Sequence, residues 1–319
     1  MKYLVTGAAG FVGYHLSKRL CKDGFDVTGM DNINSYYDVS LKEARLVELT
    51  KHKNFSFSKT DMFDKEALVN IFDKERFTDV INLAAQPGVR YSITNPDESI
   101  RNNINAFFNL LECCKEFPVK LIYASSSSVY GNSSKLPLSV NDDVDHPISL
   151  YAATKKSNEL MAYTYNHLYG FPATGLRFFT VYGPYGRPDM AYYKFALKIM
   201  KGEPIDIYNN GDMERDFTYV DDVIESIYRL LRVDFKKEYN LFNIGGEHPV
   251  KLLYFVETLE KLLGKKADKV FKEMQPGDVK VTCADSSELA KLIDYKPETR
   301  IEQGLEKFVQ WFKEYYKLN

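Results

Sequence analysis

The feature that most restricts the fold is a glycine-rich segment near the amino terminus. Residues 2–5 read as a short apolar strand, and the run TGAAGFVG that follows places glycines at positions 7, 10 and 13. Such glycines let the backbone approach a pyrophosphate closely, and the helix expected over 11–22 offers unpaired N–H groups and the positive end of its dipole. The segment predicts a dinucleotide site and leaves no room for a preceding targeting peptide.

An acidic residue follows at the position where such a site needs one. A second strand expected over 25–30 ends at Asp31, which is placed to accept hydrogen bonds from an adenosine ribose. Because a carboxylate there repels a 2′-phosphate, the sequence favours NAD over NADP. Lys42 and Arg45, further along the chain, are cations that a 2′-phosphate could contact, so NADP stays an alternative.

Strand-like and helix-like segments alternate through the first half of the chain. Further strands are expected over 54–58, 79–84, 119–125 and 173–179, and helices over 65–72, 97–115 and 150–169. This alternation predicts an α/β fold with a doubly wound parallel sheet. We expect residues 1–179 to form the cofactor domain, with a later segment near 216–242 returning to it. Residues 180–319 are expected to form a smaller C-terminal substrate domain, with helices near 191–201, 220–232 and 251–263.

Tyr151 and Lys155 are the strongest candidates for chemistry. Their i,i+4 spacing places a phenol and an ammonium on one face of the helix predicted over 150–169. A fixed positive charge there is expected to lower the phenol pKa from its ordinary value near ~10 toward neutrality, which would make Tyr151 a general base. Alone, such a pair is more often solvated surface, and the glycine segment is what favours catalysis.

Composition excludes several classes of protein. The 319 residues carry a net charge of −2, with basic residues scattered, which argues against a nucleic-acid partner. No apolar run approaches the ~20 residues of a membrane span, so a cytoplasmic protein is expected. The four cysteines and five histidines show no spacing typical of a metal site, and none is predicted.

A set of motifs resembles the extended short-chain dehydrogenase/reductases, and within them the NAD-dependent nucleotide-sugar epimerases. The motifs are TGAAGFVG, Asp61, NLAAQPGVR at 82–90, Asn103, SSSSVYG at 125–131, YAATK at 151–155 and RFFTVYGP at 177–184. The resemblance spans essentially the whole chain. It implies a Rossmann domain that binds NAD, with Tyr151 as acid/base, Lys155 on the nicotinamide ribose and Ser126 on the reacting sugar hydroxyl.

The resemblance also implies the wider site. Cofactor-binding residues are expected to be Gly7, Gly10, Phe11, Val12, Gly13, Asp31, Asn32, Asp61, Met62, Leu83, Ala84, Ala85, Asn103, Tyr151 and Lys155. Substrate-binding residues are expected to be Ser126, Ser127, Ser128, Thr180, Arg187, Arg215 and Asp278. An Arg-Asp pair that holds the Arg215 loop is the structural alternative for the last two.

Three segments narrow the resemblance to UDP-glucuronate 4-epimerases: 31–46, 180–191 and 274–279. UDP-galactose 4-epimerases usually have Asn where this chain has Thr180, and family dehydratases have an Asp-Glu pair where it has Ser127 and Ser128. The resemblance implies reversible C4 epimerisation of a UDP-uronate. UDP-glucose/UDP-galactose epimerisation is the alternative, followed by a non-catalytic nucleotide-binding module and a reductase with exchangeable NADPH.

The same resemblance implies a homodimer. In the family, the helices that match 97–115 and 150–169 pack against their copies as a four-helix bundle. The apolar residues available for this packing are Ile104, Phe107, Phe108, Leu111, Leu160, Tyr163 and Leu168.

Overall fold

The computed structural model describes residues 1–236, 238–275 and 277–318; Lys237, Pro276 and Asn319 lie outside this description. In chain order the strands are β1 (Lys2–Thr6), β2 (Asp26–Asp31), β3 (Phe55–Lys59), β4 (Asp79–Asn82), β5 (Lys120–Ser126), β6 (Ala173–Phe178), β7 (Thr180–Tyr182), β8 (Ile205–Tyr208), β9 (Glu214–Tyr219), β10 (Tyr239–Ile244), β11 (Pro249–Lys251) and β12 (Lys269–Lys272).

The α-helices are α1 (Phe11–Lys22), α2 (Val39–Leu49), α3 (Lys65–Glu75), α4 (Val89–Thr94), α5 (Pro96–Ile100), α6 (Ala106–Glu116), α7 (Leu150–Tyr169), α8 (Ala191–Lys201), α9 (Val220–Leu230), α10 (Leu252–Leu263), α11 (Ser287–Ile293) and α12 (Ile301–Tyr316). A π-helical turn, Arg101–Asn105, joins α5 to α6, and 3₁₀ turns occupy Ser127–Tyr130 and Asn209–Gly211.

The large sheet is parallel throughout. Within the described residues it has seven strands in the order β3-β2-β1-β4-β5-β6-β10. The chain builds outward from β1 in one direction through β3, then returns to β4 and builds in the other. The switch point therefore lies between β1 and β4, where ligands of open α/β sheets bind. The doubly wound parallel sheet predicted from the sequence is confirmed.

Apolar residues cover both faces of this sheet, as expected for strands buried between two layers of helices. Neighbouring positions in the central strands alternate between two buried clusters. One contains Leu4, Val80 and Leu121, and the other contains Val5, Ile81 and Ile122. Because a buried strand needs no polar face, these segments read as continuous apolar runs in the sequence.

The later part of the chain adds two small sheets, β11-β9-β7 and β12-β8, with α8, α10 and α12. Aromatic rings pack between α8 and α12: Tyr192 lies edge-on to Phe308, with ring centroids 4.9 Å apart, and Tyr193 contacts Trp311 at 5.9 Å. The β10 strand leaves this region and pairs with β6 in the large sheet. The domain boundary at residues 179 and 180 stays a prediction.

Several predicted elements differ in detail. The strand expected over 79–84 ends at Asn82, and the helix expected over 97–115 is divided by the π-helical turn. The helix expected over 220–232 ends at Leu230. Helices α2 and α12 were not predicted. Three aromatic residues of α12, Phe308, Trp311 and Phe312, are nevertheless buried in the hydrophobic core.

In the described part of the chain, no helix is long and apolar enough to cross a bilayer, and no cluster of His, Cys, Asp or Glu side chains could hold a metal ion. The four cysteines are free thiols. Of the apolar residues proposed for a dimer, Phe107 and Leu111 are buried inside the subunit, which corrects their assignment to a surface. Phe108, Leu160, Tyr163 and Leu168 are exposed.

Candidate active site

The glycine turn lies between β1 and α1, at the switch point. A Cβ atom at Gly13 would lie 2.1 Å from the Gly7 carbonyl oxygen, and one at Gly7 would lie 2.8 Å from the Ala84 nitrogen. Both contacts are with backbone, so side chains are excluded at these positions. Gly10 caps α1 without a side-chain hydrogen bond, which leaves the first N–H groups of the helix free for an anion. The turn is therefore shaped for a pyrophosphate.

Two carboxylates mark the far end of the same cleft. Asp31 ends β2, and its Oδ1 accepts a hydrogen bond from the Ile33 N–H at 2.8 Å. Asp61 accepts from Phe63 N at 2.9 Å and from Arg101 Nη2 at 3.0 Å. Burial acts to raise the pKa of Asp61, but these bonds outweigh it and hold the pKa below its ordinary value. Both side chains line the cleft.

Arg45 has a different role from the phosphate-binding one left open above. Arg45 is fully buried, and its guanidinium donates to Ala9 O, to the Tyr37 hydroxyl and to the carbonyls of Tyr185 and Gly186. It is therefore not available to a 2′-phosphate. Lys42 lines the cleft, where its Nζ donates to Asn34 Oδ1 at 2.8 Å and lies 3.9 Å from Asp31.

Asn103 does not line the cleft, contrary to expectation. Its side chain is buried behind the wall, where it accepts from Gln86 N at 2.7 Å and donates to Gln86 O at 3.0 Å and to Thr154 Oγ1 at 3.1 Å. It joins the segment after β4 to helix α7. The neighbouring Asn102 lines the cleft instead.

Tyr151 and Lys155 lie together at the start of α7, whose first turn is capped by Ser149. Burial raises the pKa of Tyr151, and the Arg187 charge and the nearby Ser126 hydroxyl lower it in part. The expectation that Lys155 lowers this pKa is wrong for the described arrangement. The Lys155 ammonium is 6.0 Å from the Tyr151 ring centroid and donates to Ala124 O at 3.0 Å. Burial also lowers the pKa of Lys155, to about 8.

A buried ion pair anchors α7 behind the site. Arg177 of β6 donates to Glu159 through Nε and Nη2, both at 2.8 Å, and the Ser125 hydroxyl donates to the same Glu159 Oε1 at 2.6 Å. Both charged side chains are almost fully buried. The pair ties α7 to β5 and β6, and thereby sets where Tyr151 lies relative to the ends of the strands.

The serine run forms the wall opposite the glycine turn. Ser126 ends β5, and its Oγ accepts from Ser128 N at 3.2 Å and donates to Ser128 Oγ at 3.1 Å. The 3₁₀ turn Ser127–Tyr130 follows. Ser126, Ser127 and Ser128 all line the cleft beside Tyr151. The hydrogen bonds between Ser126 and Ser128 cap the start of the turn that contains Ser127 and Ser128.

Of the remaining predicted substrate contacts, Thr180 and Arg187 line the cleft next to the serines. Asp278 lines it as well, and pairs with Arg90 at 2.8 Å instead of Arg215. Arg215 does not line the cleft and donates to the carbonyls of Glu214 and Lys280. The substrate role of Arg215 thus stays a prediction, and within the described residues Arg215 forms no ion pair with Asp278. Pro276 of the 274–279 segment is outside the described residues.

The cleft has a volume of about 500 Å³ and runs from the glycine turn to the serine wall. It brings together the predicted cofactor residues other than Asn103 and the predicted substrate residues other than Arg215. The sequence did not identify several of its lining residues as contacts: Asn34, Tyr36, Tyr37, Gln86, Pro87, Gly88, Val89 and Met190. The motif at 82–90 contains four of these residues. The whole motif, and not only its first residues, could therefore have been used to predict cleft contacts.

A glycine turn at the switch point, an acid at the end of the second strand, and a half-buried tyrosine with a buried lysine one helical turn later define the short-chain dehydrogenase/reductase class. A family model described as GDP-mannose 4,6 dehydratase matches residues 4–308. The chain belongs to this family.

Three known proteins show its nearer relatives. UDP-glucuronate 4-epimerase 1 of Arabidopsis thaliana is 46% identical, over 99% of this chain and 77% of that protein. The crystal structure of UDP-glucuronic acid 4-epimerase from Bacillus cereus, in complex with UDP-glucuronic acid and NAD, has a TM-score of 0.92 and 36% identity, covering 99% of this chain and 100% of that chain. UDP-glucose 4-epimerase from Thermotoga maritima, with UDP-glucose, has a TM-score of 0.90 and 29% identity, covering 99% and 100%.

Proposed function

We propose that this protein is an isomerase, an NAD-dependent UDP-glucuronate 4-epimerase that interconverts UDP-glucuronate and UDP-galacturonate. The observation that carries the proposal is the juxtaposition of Tyr151 with Ser127, Ser128, Thr180 and Arg187 in one cleft. It places an acid/base next to a set of donors suited to a carboxylate. The similarity to UDP-glucuronate 4-epimerases supports the same substrate.

The cleft fits NAD. Its glycine turn excludes side chains from the pyrophosphate position, and Asp31 presents a carboxylate at the ribose position. The residues proposed to hold the cofactor are Gly7, Gly10, Phe11, Val12, Gly13, Asp31, Asn32, Asp61, Met62, Leu83, Ala84, Ala85 and Lys155, with Asn103 acting through Gln86. When bound, NAD supplies the acceptor and later the donor of the C4 hydride.

The proton is handled by this chain. Tyr151 takes the C4 hydroxyl proton and returns it after the sugar has turned over, and Ser126 hydrogen-bonds the same hydroxyl. Because burial favours the neutral phenol, the proton is released only when positive charge gathers around Tyr151. Arg187 already supplies part of that charge, and Lys155 is close enough to add to it once its hydrogen bond to Ala124 is exchanged.

A uronate adds a hazard that a neutral sugar lacks. Removal of hydride from C4 makes the sugar a β-keto acid, which loses CO₂ when the carboxylate bond aligns with the carbonyl π system. Donors from Ser127, Ser128, Thr180 and Arg187 would hold the carboxylate away from that alignment by position and charge. Dehydration is disfavoured, because Ser127 and Ser128 replace the acid pair that a dehydratase uses.

The UDP end must stay bound while the hexose turns. We assign Asp278 to the uridine side of the cleft, where it is already oriented by Arg90. Arg215 would reach a diphosphate only after leaving its two carbonyl acceptors. The protein is also proposed to be a homodimer; the cytoplasmic location stays a prediction.

The test is incubation with UDP-glucuronate, with separate UDP-glucose incubations, followed by sugar analysis and cofactor assay. We expect NAD to copurify with the protein, and therefore expect UDP-galacturonate to form without added cofactor. Preferential turnover of UDP-glucose would support the alternative epimerase, and bound NAD without turnover would support a non-catalytic module. Consumption of added NADPH would support a reductase.

The matched variant is Tyr151→Phe, which removes the proton acceptor and little volume. We expect turnover to fall by at least ~100-fold while the fold and NAD content are retained. Activity near that of the wild type in this variant would exclude Tyr151 as the acid/base.

A further inference from the structure

Arg187 is the arginine among the residues proposed to bind the sugar carboxylate, and the side-on face of its guanidinium, formed by Nε and Nη2, is already occupied. Its Nε donates to Asp189 Oδ1 at 3.0 Å, and its Nη2 donates to Asp189 Oδ2. This is the bidentate arrangement that a guanidinium makes with a substrate carboxylate. The Asp189 carboxylate offsets part of the Arg187 charge, so Arg187 offers a uronate less attraction than an unpaired arginine would.

Asp189 is itself held by a residue from the cofactor side of the cleft. The Tyr36 hydroxyl, 153 residues away in the chain, donates to Asp189 Oδ2 at 3.1 Å. Tyr36 packs edge-on against Tyr91, with ring centroids 4.8 Å apart. Asp189 therefore accepts hydrogen bonds from two residues, one on each side of the cleft.

Hydrogen bonds from Arg45 hold the loop that contains Arg187 and Asp189. Arg45 donates to the carbonyls of Tyr185 and Gly186, which directly precede Arg187, and its Nη1 also donates to Ala9 O in the glycine turn at 2.8 Å. The orientation of the Arg187–Asp189 pair is thus set by the fold before any sugar enters, and is not a chance contact of two surface side chains.

A 4-epimerase of a uronate has two conflicting needs. It must hold the carboxylate, and it must let the hexose turn over between the two hydride transfers. A bidentate salt bridge between an unpaired arginine and the carboxylate would favour one orientation of the sugar and slow the turn, so the binding energy would stabilise the ground state and lower kcat.

We propose that Asp189, held by Tyr36, is a positioning residue that keeps Arg187 from forming a bidentate salt bridge with the substrate carboxylate, so that the uronate can turn over. This inference rests on the proposed function. Asp189 acts in two ways: it occupies the side-on face of the guanidinium, formed by Nε and Nη2, and its negative charge opposes close approach of a second carboxylate to the remaining Nη1 end.

The test is Asp189→Asn, assayed with UDP-glucuronate in the NAD-bound enzyme. Because the substitution leaves the Arg187 charge uncompensated, we expect a several-fold lower KM together with a roughly tenfold lower kcat. In a Tyr151→Phe background, which blocks turnover, the same change should lower the Kd of UDP-glucuronate and leave the Kd of UDP-glucose unchanged. A purely structural role of Asp189 would instead weaken binding of both nucleotides.

Two matched variants complete the test. Asp189→Glu restores the carboxylate and should return KM and kcat toward the wild type. Tyr36→Phe retains the ion pair and loses only its outer hydrogen bond, so KM and kcat should change in the same direction as in Asp189→Asn but less. This variant keeps the inference testable if Asp189→Asn fails to fold.

The outcomes separate the two proposals. A wild-type enzyme that does not epimerise UDP-glucuronate would overturn the proposed function, and this inference with it. A wild type that does so, together with an Asp189→Asn or Tyr36→Phe variant that binds UDP-glucuronate more weakly or turns over faster, would overturn the inference alone.

Discussion

We predict that the buried ion pair of Glu159 and Arg177 makes a large contribution to the stability of the protein, because it holds helix α7 against the sheet. Glu159→Gln keeps the shape of the side chain and removes its charge. Oε1 of Glu159 receives two donors, Ser125 Oγ and Arg177 Nε, so the amide oxygen of the variant should take that place. The amide NH₂ then faces Arg177 Nη2, which lies 2.8 Å from Oε2 in the wild type. A donor replaces an acceptor, and a buried guanidinium loses its counter-charge.

Breaking one side of a buried pair costs roughly 3–5 kcal/mol, because the remaining charge stays desolvated. For a chain of this size, we expect the melting temperature to fall by roughly 5–10 °C. The assay is thermal unfolding of the NAD-bound protein, followed by circular dichroism and repeated in urea at 25 °C. Activity per folded molecule should also fall, because the pair fixes α7 against β5 and β6.

Two controls show whether the cost comes from the lone buried charge. Asp73→Asn breaks the exposed pair of Asp73 with Arg76, and should change stability by less than about 1 kcal/mol. The double variant Glu159→Leu, Arg177→Met removes both charges and should recover most of the stability lost in Glu159→Gln. A loss of stability in Glu159→Gln as small as that in Asp73→Asn would contradict this explanation. So would a double variant that is less stable than Glu159→Gln.

Two further predictions concern pH and assembly. Burial lowers the pKa of Lys155 from 10.5 to about 8, so the folded state disfavours the ammonium below pH 8, and its stability rises between about pH 8 and 10.5 while the unfolded chain still binds the proton. Compared with Lys155→Met, which has no such proton, the wild type should gain roughly 3 kcal/mol across this window in urea unfolding; a constant difference between the two would contradict the assigned cause. For assembly, light scattering at micromolar concentration should give a dimer mass that Leu160→Asp, on the exposed face of α7, shifts toward the monomer, whereas Phe271→Ser, an equally exposed apolar site on β12, should not. A monomeric wild type would count against the dimer.

Much of the fold could be predicted from the sequence, because it depends on the chemistry of short segments. The glycines at 7, 10 and 13, the strand before them and Asp31 lie within the first 31 residues, and each follows from steric or electrostatic requirements of a short segment. The i,i+4 spacing of Tyr151 and Lys155 likewise depends only on helix geometry. Repeated strand and helix patterns then indicate a parallel sheet, and its switch point places the cleft.

Burial and long-range pairing were decided only by the tertiary structure. Arg45 reads in the sequence as a candidate for a 2′-phosphate, yet it is buried and holds carbonyls 140 and 141 residues away. The sequence predicts that Asn103 contacts the cofactor, whereas in the structure its side chain hydrogen-bonds the backbone of Gln86. Nothing local indicates that Tyr36 reaches Asp189. The partner of a polar side chain depends on which distant segments the packed core brings next to it.

The sequence by itself thus determined the class of sheet and predicted both the cofactor site and Tyr151 as the candidate acid/base, because these follow from spacing within one or two neighbouring elements. The electrostatic state of that residue was decided by the tertiary structure. The phenol pKa of Tyr151 is raised by burial and lowered in part by Arg187, which lies 36 positions further along the chain, whereas Lys155 is held by the Ala124 carbonyl. Desolvation and charge depend on everything that surrounds a group in space, and a spacing of four residues cannot convey that.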